Sequence, residues 1–151
     1  MSGFSEFSER APQVLQIKPH LDEIGVALTW IRELGVQCRW PERTVFGLAL
    51  SADEALTNIV NYAFEVTEID SASIRLVCFE SGQGIVLRIE DQGKSFDPTL
   101  AVSLAEAESL DDAVVGGHGL RLMRHYLKSL EYARENGRNV LTLVAGDGSE
   151  A

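Results

Sequence analysis

This chain of 151 residues predicts an α+β fold, a two-layer sandwich in which a mixed, mostly antiparallel sheet is covered by helices on one face. Three observations point there. Two alternating, β-branched runs lie either side of Ser81-Gly82-Gln83-Gly84, and a second hairpin closes at Asn136-Gly137. Long helical patterns come in an adjacent pair rather than alternating with strands, so no βαβ repeat forms. The glycine cluster sits late in the chain and does not follow the first strand, which excludes a doubly wound dinucleotide fold.

Each element has a local reason. Val14-Leu15-Gln16-Ile17 alternates and predicts a short first strand. After Pro19, Leu21, Ile24, Leu28, Ile31 and Leu34 recur at three and four residues, with Gly35 as the expected stop. Pro41 suits the start of a second helix, from about Thr44 to Phe64. Ser73–Glu80 and Ile85–Glu90 read as the hairpin strands. Helical spacing returns from Gly119 to Leu130 through Leu120, Met123 and Leu127, and the chain finishes with Leu130–Glu135 and Asn139–Val144 as strands. The expected organisation is one domain over 13–145, with a lid at about 94–117, a flexible start at 1–12 and a flexible tail at 146–151. Within the lid, Leu100–Leu110 is acidic and alanine-rich, as a mobile helix would be.

A formal net charge of -10 disfavours DNA, RNA and anionic membranes, and would attract a basic protein surface at long range. Any polyanion must be held locally, by backbone N–H groups and a metal. Cys38 and Cys78 have no Cys or His at ligand spacing and read as buried small hydrophobes. No signal peptide and no membrane-length apolar run is present, so a cytoplasmic protein is expected.

The second helix carries the sharpest chemical signal. Val45, Ala49, Ala52, Leu56, Ile59 and Ala63 form its core stripe. Glu54, Asn58 and Asn61 repeat the same spacing roughly opposite, yet Thr44–Phe64 holds no Lys or Arg, as an ordinary solvated face would. Glu54 and Asn58 lie one turn apart and project oxygens side by side, suited to Mg²⁺ or to activating a hydroxyl or water. A capped polar helix face is the plainer alternative.

Two glycine loops follow. Asp91-Gln92-Gly93 ends a strand, placing a carboxylate where it can accept from an exocyclic amine such as adenine's. The same pattern also marks a simple Asp–Gly turn. Gly116-Gly117-His118-Gly119-Leu120 opens a helix, where freed N–H groups can cradle phosphate. His118 could touch phosphate there or be a solvated loop imidazole, and His20 and His125 read as structural.

In this order, the motifs resemble those of the Bergerat-fold (GHKL) ATPases, the family of gyrase B, Hsp90, histidine kinases and MutL. Asp53–Phe64 is similar to the N box, Asp91-Gln92-Gly93 to the first glycine box, and Gly117-His118-Gly119-Leu120 to the second. Glu54-Ala55-Leu56-Thr57-Asn58, Phe96-Asp97-Pro98 and Gly137–Leu143 resemble, more narrowly, the bacterial anti-sigma serine/threonine kinases. The resemblance spans Val14–Val144. It implies Mg²⁺ on Asn58, Glu54 as general base, Asp91 on the adenine amino group, Gly93 shaping the base pocket, and Gly117 and Gly119 at the phosphates. Asn61, Phe96, Gly116, His118 and Leu120 complete the implied ATP-binding set. Tyr62 stands where that family often has His, and Lys94-Ser95 where it more usually has x-Pro.

The resemblance further implies an ATP-dependent protein kinase whose substrate is a Ser or Thr on a STAS-domain anti-anti-sigma protein. Its other partner would be a sigma factor or similar regulator, and a homodimer is possible in such a family. A non-catalytic, ATP-switched binding module is the alternative. A histidine-kinase ATP-binding domain is disfavoured, since no dimerisation helix pair with a phosphoacceptor His fits before Thr44.

Overall fold

The computed structural model describes residues 11–97 and 121–148. The elements are β1 (Gln13–Ile17), α1 (Leu21–Cys38), α2 (Glu42–Tyr62), a 3-10 turn (Val66–Glu68), β2 (Ile74–Ser81), β3 (Gly84–Asp91), a short helix at 121–126, β4 (Leu127–Glu135) and β5 (Arg138–Ala145). The strands form one sheet in the order β1-β2-β3-β5-β4, and all four neighbouring pairs are antiparallel. The predicted lid from 98 onward, including Leu100–Leu110, and Gly116, Gly117, His118, Gly119 and Leu120 lie outside the described residues, as do 1–10 and 149–151.

Alternation sends Ile74, Leu76 and Cys78 of β2, Ile85, Leu87 and Ile89 of β3, and Leu141 and Leu143 of β5 into one core with the helices. α1 contributes Ile24, Ala27, Ile31 and Leu34, while α2 contributes Leu48, Ala52, Leu56 and Ile59. Full burial of each such aliphatic chain stabilises by about 1.5–3 kcal/mol. The opposite face of the sheet carries no helix from this set.

Three details depart from the predicted pattern. α1 does not stop at Gly35 but runs to Cys38, with Arg39 taking the left-handed cap at φ 57°. Gly35 is buried inside the helix because a methyl there would collide with Val45 of α2, so it serves helix–helix approach, not chain reversal. Leu21, the first residue of the helical spacing, is 56% exposed in the first turn, and Val45 of the α2 core stripe is only half-buried.

The predicted Gly119–Leu130 helix is shorter among the described residues: it ends at 126, and Leu127 begins β4. Ladder pairing to β5, with a bulge between Leu127 and Ser129, outweighs the helical spacing of Leu127 and Leu130. At the hairpin itself, Asn136 and Gly137 both sit at positive φ, as a tight turn requires.

Two buried polar contacts tie the layers together. Trp40 Nε1 donates to Glu80 Oε1 at 3.1 Å. The Thr44 hydroxyl donates to the Gly146 carbonyl, fixing the exit of β5 against the start of α2. Both cysteines are buried and neither forms a disulfide; burial first, then Cys38 and Glu80, pushes the Cys78 thiol up to about 12. That thiol is inert at neutral pH, as expected of a packing residue.

Candidate nucleotide site

The alternation that buries Ile85, Leu87 and Ile89 carries Asp91, the last residue of β3, onto the same helix-covered face. Its side chain is 2% exposed. Oδ1 accepts the Gly93 N–H and the Asn139 amide, both at 2.9 Å, whereas Oδ2 is buried with no partner. An unpaired buried acceptor costs about 1–3 kcal/mol, so it is a standing demand for a donor. Burial pushes the Asp91 carboxyl above its ordinary range. Hydrogen bonds from Asn139 and Gly93 and the nearby Arg134 charge pull the other way.

Glu90, its chain neighbour, points to the opposite face and meets a different fate. Arg88 at 2.8 Å and Arg75 and Arg138 at 3.4 Å surround it, so each of its oxygens has a charged partner. One acid has both oxygens partnered by the protein; the other has only one.

The turn after Asp91 is fastened to α2. The Lys94 N–H donates to the Ala63 carbonyl at 3.0 Å, at the C-terminal end of that helix. A β-carbon on Gly93 would stand 2.5 Å from the same carbonyl oxygen and 3.0 Å from Asp91 Oδ1. Gly93 is therefore required by the close backbone approach. Further on, the Phe96 ring packs 5.6 Å from Tyr62, and the Phe96 N–H donates to Asn139 Oδ1 at 3.1 Å.

Asn139 pairs directly with Asp91 in the β3–β5 ladder, which explains their contact. Besides Asp91, its amide donates to the Lys94 carbonyl at 2.8 Å. Its Oδ1 also accepts from the Tyr132 hydroxyl and, at 3.1 Å, from Arg134, which itself donates to the Gly93 carbonyl at 2.8 Å. Asn139, Tyr132 and Arg134 were not singled out as site residues from sequence. The available signal was a buried-pattern strand, Arg138–Ala145, that begins on an amide beside the acidic end of its neighbour.

On α2, Glu54 and Asn58 are half-buried and Asn61 is exposed. Burial, then the adjacent Asp53, raises the Glu54 carboxyl above its usual range, and a hydrogen bond from Asn58 opposes this. Ala55, next to Glu54 in the chain, is 1% exposed and belongs to the core. The structure thus brings Asp91, Gly93 and Phe96 together at the C-terminal end of the helix that bears Glu54 and Asn58. The phosphate-side glycines fall outside the described residues.

The donor set fits a nucleotide with a divalent ion. Asp91 Oδ2 suits an amine N–H. Among the described residues no group of three or more His, Cys, Asp or Glu could hold a metal. A divalent ion near Asn58 would therefore take most of its oxygens from bound phosphates and water, the usual arrangement for Mg²⁺.

Comparison with known proteins agrees. Residues 17–145 match the model of the histidine kinase-like ATPase domain. The chain is also 46% identical over 125 residues to the serine/threonine-protein kinase BtrW of Bordetella bronchiseptica, an alignment covering 83% of this chain and 87% of that relative. Motif order, sheet topology, the Asp91 turn and the matched span together place the chain in the histidine kinase-like (GHKL) ATPase family.

Proposed function

We propose that this chain, an ATP-dependent serine/threonine protein kinase of the GHKL family, phosphorylates a hydroxyl on a STAS-domain anti-anti-sigma protein and, in its other state, sequesters a sigma factor or similar regulator. The observation that carries the nucleotide part is Asp91, buried and with one oxygen unpartnered. That oxygen would accept the adenine amino group, and Asn58 would hold Mg²⁺ beside the phosphates. Mg-ATP, when bound, supplies the phosphoryl group and the charge neutralisation of its transfer.

The chain's own residues do the rest. Glu54 receives the proton of the substrate hydroxyl. Its carboxyl, raised by burial and by Asp53, is a stronger base than an ordinary glutamate. Asn58, hydrogen-bonded to Glu54, keeps that carboxylate oriented along the helix. The site's task is positioning and charge management, which is what phosphoryl transfer asks of a protein. No helix among the described residues is long and apolar enough to cross a membrane.

The deciding experiment is incubation with γ-labelled ATP, Mg²⁺ and candidate STAS proteins from the same genome. Label on a Ser or Thr of one of them supports the kinase assignment. Tight ATP binding with no transfer to any of them would instead favour a nucleotide-switched binding module.

A further inference from the structure

A carboxylate has two equivalent oxygens until its surroundings distinguish them. At Asp91 they are fully distinguished: Oδ1 takes two donors and Oδ2 takes none. One of those donors is the Gly93 N–H, two residues along the same turn, which moves with Asp91. The other comes from Asn139, on the neighbouring strand β5, so it is the side-chain donor that ties the carboxylate to the sheet.

Asn139 can do this only if its amide points one way, and its neighbours decide which. One end of the side chain faces three donors, the Tyr132 hydroxyl, Arg134 Nη1 and the Phe96 N–H. That end must be the carbonyl oxygen, because an NH₂ there would meet only donors. The NH₂ end then faces two acceptors, Asp91 Oδ1 and the Lys94 carbonyl, and spends both hydrogens on them. At 3% exposure, water has little access to substitute for any of these bonds. The orientation is over-determined.

We infer that Asn139 is the positioning residue that sets base specificity: by occupying Asp91 Oδ1 from β5 it leaves Oδ2 as the one acceptor offered to a nucleobase, selecting a 6-amino purine over a 6-oxo purine. This rests on Asp91 being the base-reading residue of the proposed ATP site. A 6-carbonyl placed against Oδ2 is a lone pair facing a negative oxygen, and it is rejected as long as Asp91 stays ionised and fixed. Without the Asn139 donor the carboxylate can rotate, and its charged form loses a hydrogen bond that favours it. A protonated Asp91 can then donate to the 6-carbonyl, and a turned one no longer holds its charge against it, so selectivity collapses rather than affinity alone.

The test uses the full chain with Mg²⁺ and measures dissociation constants for ATP and inosine triphosphate by calorimetry, with circular dichroism as a check on folding. The expected wild-type preference for ATP is roughly a hundredfold, since a buried acceptor left facing an acceptor is strongly penalised. Asn139→Leu, of similar size, should cut that preference to below about tenfold, chiefly by weakening ATP. Should it fail to fold, Asn139→Ser removes the same reach with less disturbance. Leu130→Ala, on the same hairpin but making none of these hydrogen bonds, should keep the preference.

If both nucleotides weaken in parallel in a folded Asn139 variant, the residue is merely structural and the inference falls. A loss of preference in Leu130→Ala as large as in Asn139→Leu would assign the effect to hairpin packing and also overturn it. A wild-type protein with no preference would overturn the role of Asp91 itself, a failure of the proposed site that is distinguishable from a failure of Asn139.

Discussion

The end of β3 and the middle of α2 carry the two halves of the candidate site, and they are built by opposite rules. Around Asp91, backbone and side chains converge until only one oxygen is left open. Glu54 and Asn58 are half-buried, with a hydrogen bond from Asn58 to Glu54. The first region is finished before any ligand arrives, which suits recognition of a fixed shape with little ordering cost. The second is left open toward the groups it must act on. In the proposed reading, recognition sits at the end of β3 and chemistry in the middle of α2, and the two are joined where Lys94 bonds to Ala63.

The widest split between the two halves should come from Glu54→Ala. Phosphotransfer is expected to fall by about 10²–10⁴, the range of a lost general base, while ATP affinity changes by less than about threefold. Labelled-phosphate transfer alongside calorimetry checks it; undiminished transfer would remove Glu54 as the base.

The converse variant is Gly93→Ala, whose methyl would press on the Ala63 carbonyl and on Asp91. Here ATP affinity should drop by roughly tenfold or more, with the rate at saturating ATP held within a few-fold. If affinity is unchanged, the turn is less rigid than its contacts imply and the contrast between the halves weakens.

The smallest effect is a pH dependence. Because Glu54 is shifted upward, it gains its proton at a higher pH than an ordinary glutamate as the solution is acidified. The rate at saturating ATP should therefore decline on lowering the pH through that raised pKa, by at most about tenfold per unit, and level off above it. Glu54→Gln should show no such limb. A wild-type profile that stays flat well into the acid range would contradict the burial of Glu54.

Much of this was legible in the sequence, and the exceptions have physical causes. The α2 stripe at Ala49, Ala52, Leu56 and Ile59 and both hairpins follow from local periodicity and turn chemistry, which the chain expresses residue by residue. Gly35 misled because a glycine chosen for a neighbour's side chain looks the same as one chosen for a helix end. Leu127 and Leu130 fit a helix and a strand equally well, and only the partner strand β5 decides between them. Asp91 was readable from its motif. Asn139 was not, because its meaning is a cross-strand register linking positions 91 and 139, and register is a property of the sheet.

The packing of Gly93 has a consequence for how such chains are to be compared. The glycine is demanded by a carbonyl of its own chain, Ala63, independently of any ligand. A descendant that had lost nucleotide binding would still be obliged to keep it, while Asp91, relieved of its purpose, would be free to drift toward a residue without an unsatisfied oxygen. In sorting active from inactive relatives, the aspartate is thus the informative letter of the D-x-G motif and the glycine a record of the scaffold.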